Sequence, residues 1–256
     1  MSNNLTSAIV QLPITWHDPE ANISTAHAEL SKLKNVDLVV LPEMWSSGFT
    51  MFAHKYYNAT PQALQVMKEW SSTLDACIVG SLITKENDQY YNRMYAVING
   101  EVSTYYDKKH LFGLSGEDRF YRSGDQRVIL EYKSWRINLN VCYDLRFPVW
   151  CRNCEDYDIA VFSSNWPDKR IEAWNILLQA RAIENLCYIL GANCYGEDVW
   201  HNTYQGHSAI IQYDGKVIIS LKEVGGTLVS TLQKDTLISY RKSLPFLKDG
   251  DRFKLI

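Results

Sequence analysis

Short apolar runs that stop at a polar residue or a proline recur along the whole chain, and segments with helical spacing lie between several of them. The runs are rich in Val, Ile and Leu, which is typical of buried strands. Strands that alternate with amphipathic helices predict a layered α/β structure with the helices on the outside. About a dozen strands with few helices favour two sheets that pack face to face between helix layers.

The bounds of the predicted elements follow from these runs and from helix-start signals. Asp18 is the expected N-cap of the first helix, and Pro19 occupies its first turn, where a missing N–H costs little. Thr60 and Pro61 mark the start of the second helix in the same way. The predicted helices span residues 19–33, 60–75 and 169–185, and the predicted strands span residues 7–12, 37–41, 76–83, 90–98, 101–106, 127–132, 136–141, 158–163, 187–192, 206–212, 216–221 and 226–231.

Two dipeptides mark tight turns between strands. Asn99-Gly100 and Asp214-Gly215 each separate two β-prone runs, and both favour a two-residue hairpin turn. Hairpins pair strands antiparallel, so both sheets are predicted to be mixed and not purely parallel. Residues 107–126, in contrast, show little regular pattern, and a loop of that length is usually functional or disordered.

Composition limits the class of protein. The chain has 256 residues, of which 46% are hydrophobic and 21% are charged, as in ordinary soluble globular proteins. The net charge of -3, without a long run of one sign, predicts no nucleic-acid partner and no membrane surface. Because no Pro/Gly/Ser-rich linker divides the sequence, we expect one domain over residues 1–256.

The cysteines and the N-terminus indicate the compartment. Six cysteines are thinly spread, which fits reduced thiols in a cytoplasm. The N-terminus lacks the pattern of a signal peptide and no apolar run is long enough to cross a bilayer, so a cytoplasmic location is expected. Cys151 and Cys154 have the spacing of half a zinc site or of a redox pair. A second pair at ligand spacing is missing, so we expect no metal.

Three residues with reactive side chains stand where predicted strands end. Glu43, Lys108 and Cys142 each follow an apolar, β-prone run, and a polar turn follows Cys142. In open α/β sheets, sites gather beyond the carboxyl ends of strands, so these side chains could converge. Taken singly, each residue has a plainer interpretation as a solvated charge at a loop start or as a cysteine packed in the core.

Three segments around these residues closely resemble the three motifs of the nitrilase superfamily of carbon-nitrogen hydrolases, in the family's order. Within that superfamily, the sequence resembles the ω-amidase branch, whose members hydrolyse the terminal amide of short 2-oxo dicarboxylic acid monoamides. The segments are residues 41–43, 106–112 and 140–148, and the likeness continues at residues 163–167, 179–185 and 206–211.

The resemblance implies a fold and an assembly. The expected fold is a four-layer α-β-β-α sandwich with two mixed sheets. The family implies a homodimer, or a higher homo-oligomer, in which the sandwiches stack and the helix that contains Arg181 and Glu184 lies near the interface. It also implies that no cofactor is needed, because side chains and backbone supply the chemistry.

The resemblance also assigns chemical roles. Cys142 is the implied nucleophile, and Glu43 is the implied base that takes the thiol proton and delivers it to the leaving nitrogen. Lys108 and the backbone N–H of Tyr143 are the implied donors to the oxyanion. The products are ammonia and a thioester, which water then hydrolyses to the acid.

Two choices between neighbouring residues accompany these roles. The family's lysine lies two residues before a histidine, which selects Lys108 over Lys109, whose side chain points the other way along an extended segment. Many relatives have a second glutamate near the lysine. Glu117 is the best match for it, with Asp118 as the alternative, and its role would be to hold the lysine charged and oriented.

The substrate expected from the resemblance has a carboxylate remote from the amide, for which an arginine is the best partner. Arg146 and Arg170 are the candidates, although Arg146 has an alternative role in bracing the structure. Trp45, Phe49 and Trp166 are the candidate pocket walls, with a place in the core as the alternative.

Other functions remain open from the sequence. An aliphatic amidase, a carbamoyl-amine hydrolase or a nitrilase would share the Glu-Lys-Cys triad, and only the pocket would separate them. A catalytically inactive relative kept as a binding partner is a further alternative, against which the intact triad speaks.

Overall fold

The computed structural model describes residues 3–251 and 253–254. Its helices are α1 (Pro19–Leu30), α2 (Ala53–Tyr56), α3 (Thr60–Leu74), α4 (Glu117–Phe120), α5 (Ile171–Asn185) and α6 (Lys234–Ser243). Its strands are β1 (Asn4–Gln11), β2 (Leu38–Val40), β3 (Cys77–Glu86), β4 (Gln89–Ile98), β5 (Glu101–Asp107), β6 (Ile129–Tyr132), β7 (Trp135–Val141), β8 (Ile159–Ser164), β9 (Tyr188–Asn193), β10 (Tyr195–Glu197), β11 (Thr203–Ile211), β12 (Val217–Lys222) and β13 (Gly226–Gln233).

The strands form two mixed sheets. The first sheet has the order β13-β1-β2-β3-β4-β5, and β1, β2 and β3 in it are parallel. The second has the order β10-β11-β9-β8-β7-β6, with β12 on β11, and β7, β8 and β9 in it are parallel. The remaining pairs are antiparallel, and the predicted turns at Asn99-Gly100 and Asp214-Gly215 join β4 to β5 and β11 to β12. The prediction of two mixed sheets is confirmed.

Alternation along β1 shows how one strand serves two hydrophobic layers. Leu5 and Ile9 join the core that lies between the sheets, whereas Ala8 and Val10 join the core under α1 and α3. Successive side chains of a strand point to opposite faces, so a run without alternation of polarity is buried on both sides. Continuous apolar runs therefore correspond here to strands covered on both faces.

The helices cover the outer faces of the two sheets. α1 and α3 pack on β1 and β3 of the first sheet, and α5 packs on β9 and β11 of the second, while β1 faces β9 and β11 across the centre. α1 begins as predicted, because the Asp18 side chain accepts a hydrogen bond from Ala21 N at 3.0 Å. The expected four-layer α-β-β-α architecture is confirmed.

Some elements differ from the prediction. α1 ends at Leu30 and the chain continues in turns to Asn35, whose φ of 54° is incompatible with a helix. α2, α4, β10 and α6 are additional. Of the α6 residues only Leu237 is buried, so this helix lacks the apolar stripe that would reveal it in the sequence. Among the described residues, no helix has the length and apolar character to span a membrane.

Candidate active site

Glu43 lies in the turn that follows β2. Leu41 N still continues the sheet by donating to Val79 O at 2.8 Å, and Met44 N donates to Ser81 Oγ at 2.8 Å. Met44 has a φ of 41°, which turns the chain sharply. The Glu43 carboxylate is thereby directed inward and is only 1% exposed.

Lys108 follows β5 and meets Glu43 across the sheet edge. Its backbone N–H donates to Asn92 O at 3.0 Å, and its Nζ donates to Glu43 Oε1 at 2.8 Å. The side chain is fully buried, and Nζ lies 5.1 Å from the centre of the Phe49 ring. Lys109 points elsewhere, with its Nζ 5.5 Å from the centre of the Trp150 ring.

Glu117 is the second carboxylate next to Lys108. It is the first residue of α4 and is fully buried, and its two oxygens accept from Lys108 Nζ at 3.0 and 2.9 Å. Phe112 N donates to its Oε2 at 2.6 Å. Asp118 is exposed to solvent, so Glu117 is the residue that the loop brings to the lysine.

Cys142 stands at the end of β7 and opens the short 3₁₀ helix Cys142–Arg146. Its φ of 43° is rare for a non-glycine residue and costs about 1–3 kcal/mol. The Glu43 carboxylate raises the pKa of the Cys142 thiol and the backbone N–H of Asn165 lowers it, which indicates that both groups lie next to the sulfur. Glu43, Lys108, Glu117 and Cys142, which the sequence scatters over three segments, therefore form one cluster.

The electrostatics of the cluster assign its protons. Burial and the Glu43 carboxylate raise the pKa of the Cys142 thiol well above its usual value, although Lys108 lowers it. Burial lowers the pKa of Lys108, but the Glu117 and Glu43 carboxylates more than offset this and raise the pKa overall. The resting site therefore holds a neutral thiol beside an ammonium ion. Burial also raises the pKa of Glu117.

Asp144 ties the nucleophile turn to the segment that carries Lys108. Its Oδ2 accepts from Tyr106 OH at 2.7 Å and from Val141 N at 3.0 Å. Its Oδ1 accepts from His110 N at 3.0 Å and lies 2.7 Å from His110 Nδ1. Since both segments share one fully buried carboxylate, the positions of the lysine and the thiol are fixed relative to each other.

Two asparagines that the sequence reasoning missed complete the cluster. Asn165 N donates to Glu43 Oε2 at 3.1 Å, and its Nδ2 donates to Glu43 O at 2.7 Å. Asn92 Nδ2 donates to Glu43 Oε1 at 2.7 Å and to Glu117 Oε1 at 3.2 Å. The available signal was weak: Asn92 shares a strand face with the apolar residues Met94 and Ala96, and Asn165 follows directly after a strand.

A pocket of about 320 Å³ opens above the cluster. Arg146 and Arg170 line it, with guanidinium carbons 4.9 Å from the centre of the Trp166 ring and 5.1 Å from that of the Phe112 ring, respectively. Within residues 3–251 and 253–254, neither arginine pairs with a carboxylate. The candidate residues that line the pocket are Glu43, Phe49, Lys108, Cys142, Tyr143, Arg146, Trp166 and Arg170.

Trp45 does not line the pocket, and its prediction as a pocket wall is wrong. The ring is fully buried on the helix side of the first sheet, 5.4 Å from the Trp70 ring and packed over Gly80. The sharp turn at Met44 explains this placement, because it sends Glu43 and Trp45 to opposite sides of the sheet.

The rim of the pocket includes a loop without a sequence signal. Asp198 organises it by accepting from Trp200 N at 2.8 Å, Asn202 N at 2.9 Å and Tyr204 OH at 3.1 Å. These four residues line the pocket beside the two arginines. The loop belongs to none of the motifs, so only the folded chain reveals it.

Cys151 and Cys154, the pair with the spacing of half a zinc site, differ in their exposure. Cys151 is buried, Cys154 is exposed, and both are free thiols. In the part of the chain that the structure describes, no group of three His, Cys, Asp or Glu side chains lies close enough to hold a metal ion.

The fold and the cluster define a class: hydrolases that open carbon-nitrogen bonds from the edge of a four-layer α-β-β-α sandwich. The profile of the carbon-nitrogen hydrolase family matches residues 6–242. The chain belongs to this family and is a hydrolase of C–N bonds.

Individual relatives extend the likeness over nearly the whole chain. Omega-amidase YafV of Yersinia enterocolitica is 38% identical over 99% of this chain and 100% of its own length. The 2-oxoglutaramate amidase of Bacillus subtilis is 30% identical over 95% of this chain and 96% of its own. The crystal structure of XC1258 from Xanthomonas campestris, a CN-hydrolase superfamily protein with an arsenic adduct in the active site, superimposes with a TM-score of 0.96. It is 37% identical and covers 99% of both chains.

Proposed function

We propose that the protein is an ω-amidase that hydrolyses the terminal amide of short 2-oxo dicarboxylic acid monoamides such as α-ketoglutaramate and α-ketosuccinamate. The observation that carries the proposal is the cluster of a thiol, a carboxylate and a buried ammonium, which opens into a pocket with two arginines that pair with no carboxylate of the described residues. The activities in the names of the Yersinia and Bacillus relatives support the same substrate class.

The first half-reaction begins with a neutral thiol. As the Cys142 sulfur attacks the amide carbon, the Glu43 carboxylate, which acts on the pKa of the thiol in the resting site, accepts the thiol proton. The carbonyl oxygen becomes an oxyanion, to which Lys108 Nζ and the backbone N–H of Tyr143 donate. As a group of the first turn of a helix, this N–H has no acceptor within the helix.

Collapse of the tetrahedral intermediate then breaks the C–N bond. Glu43 returns its proton to the nitrogen, so ammonia leaves and a thioester on Cys142 remains. In the second half-reaction, Glu43 takes a proton from water, which attacks the thioester carbonyl. The C–S bond then breaks and Glu43 returns its proton to the sulfur, so the products are the free acid and the Cys142 thiol.

The charges around the pocket favour a 2-oxo acid amide over an amino acid amide such as glutamine. Arg146 and Arg170 are available for a carboxylate. The two acidic side chains that line the pocket already have partners. Glu43 pairs with Lys108, and Asp198 accepts hydrogen bonds from its own loop. An α-ammonium group would therefore enter beside two cations without a free counter-ion.

The test is ammonia release from α-ketoglutaramate, α-ketosuccinamate and glutamine by the wild type and by Cys142→Ala. We expect turnover of both keto acid amides, at least about 100-fold lower kcat/KM for glutamine, and no turnover by the folded variant. Turnover of a simple aliphatic amide, a carbamoyl amine or a nitrile in place of the keto acid amides would assign one of the alternative functions. Absence of any hydrolysis would favour the inactive binding relative.

We further propose that the enzyme works in the cytoplasm, in line with its free thiols, and as a homodimer or higher homo-oligomer, as the resemblance of its sequence motifs implies. Size-exclusion chromatography with light scattering tests the assembly.

A further inference from the structure

Asn92 occupies an unusual position for a fully buried polar side chain. It lies on β4, on the same face as Met94 and Ala96, which belong to the apolar core between the sheets. Its amide group is therefore at the end of an apolar row that leads to the cluster of Glu43, Lys108 and Glu117.

The hydrogen bonds of Asn92 are uneven. Its Nδ2 donates to one oxygen of each carboxylate, at 2.7 Å to Glu43 Oε1 and at 3.2 Å to Glu117 Oε1. Its Oδ1 is buried without a partner among the described residues. An orphaned buried oxygen destabilises a fold, so an apolar residue would suit this position better if packing were its only role.

We propose that Asn92 is a positioning residue that keeps both carboxylates ionised side by side and holds Glu43 in place beside the Cys142 thiol. This inference rests on the assignment of Glu43 as the base in the proposed function. Asn92 does not line the pocket, so it acts through the carboxylates and not on the substrate.

The electrostatic need for such a residue is clear from the charges. Two buried carboxylates share one ammonium, with Lys108 Nζ at 2.8 Å from Glu43 Oε1 and at 2.9 Å from Glu117 Oε2. Like charges this close favour uptake of a proton, and burial already raises the pKa of Glu117. A neutral amide that donates to both carboxylates stabilises their charged forms without adding a charge.

The other titratable groups near the pair keep their protons at acidic and neutral pH. The Glu43 and Glu117 charges keep Lys108 as an ammonium, and its pKa is raised. Burial raises the pKa of Tyr121, Cys142 and Cys194 well above their usual values. None of these four groups therefore contributes a titration on the acidic side of the pH range.

The test uses Asn92→Leu, which keeps the branched shape of the side chain but removes the donor, and Asn92→Ala as a second variant. The rate of Cys142 alkylation by iodoacetamide is followed against pH by mass spectrometry. The thiol loses its proton to Glu43 as the sulfur displaces iodide. Arg146 and Arg152 place Cys142 on a different tryptic peptide from the exposed Cys154.

We expect the acidic limb of the alkylation profile to move up by about one pH unit in the Asn92 variants. For the amide substrate, kcat should fall by about 10- to 100-fold while KM stays within about twofold. Asn153→Leu is the matched control, because Asn153 is also buried and its Nδ2 donates only to backbone, at 2.9 Å to Tyr157 O and 3.0 Å to Asn185 O.

Two outcomes would overturn the inference: an unmoved acidic limb in a folded Asn92 variant, or an equal shift in Asn153→Leu. Because alkylation requires no substrate, the limb reports on Asn92 even if keto acid amides are not turned over. Failure of the substrate assignment is therefore distinguishable from failure of this inference.

Discussion

Removal of the Lys108 ammonium should produce a loss of stability that depends on pH. Lys108→Met keeps the length and apolar stem of the side chain but removes three hydrogen bonds of 2.8 to 3.0 Å to Glu43 and Glu117. All three side chains are at most 1% exposed. Loss of one partner from a buried ion pair costs about 3–5 kcal/mol, because the remaining charge stays buried without compensation.

The sign of the pH dependence follows from the carboxylates. A carboxylate with a raised pKa in the folded state contributes stability that is present at low pH and is lost as the pH rises through that value. Burial raises the pKa of Glu117 even with Lys108 beside it, so removal of the ammonium raises it further. The decrease in the free energy of unfolding caused by Lys108→Met should therefore be complete at pH 8 and smaller at pH 5. The difference should be about 1.4 kcal/mol for each unit by which the variant raises the pKa of Glu117 further.

Urea unfolding at pH 5 and pH 8 measures this difference. Lys109→Met is the control, because Lys109 is a neighbouring lysine outside the cluster, and it should change the free energy of unfolding by no more than about 0.5 kcal/mol. Addition of Glu117→Gln to Lys108→Met should restore at least about 2 kcal/mol at pH 8, because it removes the repulsion between the carboxylates. Equal losses at both pH values, or a further loss in the double variant, would refute the reasoning.

Three further substitutions test separate parts of the site. Arg170→Ala should raise KM for α-ketoglutaramate by about 10-fold or more with little change in kcat, as measured by ammonia release, and an unchanged kcat/KM would exclude this arginine as the carboxylate partner. Asp144→Asn should lower the free energy of unfolding by about 1–3 kcal/mol and slow Cys142 alkylation, because an amide NH₂ would face the donor Val141 N. Trp45→Ala should lower the free energy of unfolding in urea by about 3–5 kcal/mol and leave KM unchanged. A raised KM would indicate that Trp45 does contribute to the pocket.

The site residues that depend on a local sequence pattern could be predicted from the sequence. Glu43, Lys108 and Cys142 each end a β-prone run, and strand ends can be recognised without knowledge of the fold. The structure brings these ends together because β2 and β5 belong to one sheet and β7 to the sheet that faces it. Their convergence depends on the pairing of the two sheets, which no local pattern encodes; the family resemblance supplied it.

The direction of a side chain after a turn could not be predicted from the sequence. Trp45 follows Glu43 by two residues, which in a strand would place both on one face, but Met44 at a φ of 41° reverses that expectation. Asn92 and Asn165 were missed for a related reason. Their roles depend on contacts with Glu43 over sequence separations of 49 and 122 residues.

One hydrogen bond couples the base to the oxyanion donor in the proposed mechanism. In the resting site, Lys108 Nζ donates to Glu43 Oε1 at 2.8 Å, while Glu117 holds the same ammonium through both of its oxygens. When Glu43 takes the thiol proton, it becomes neutral, and its attraction for the Lys108 ammonium weakens. Negative charge develops on the carbonyl oxygen in the same step. An N–H of Lys108 can then turn to the oxyanion while Glu117 keeps the nitrogen in place. The net charge of the buried site stays constant through this step, because the proton only moves from sulfur to carboxylate, and a second carboxylate next to the lysine is consistent with that division of roles.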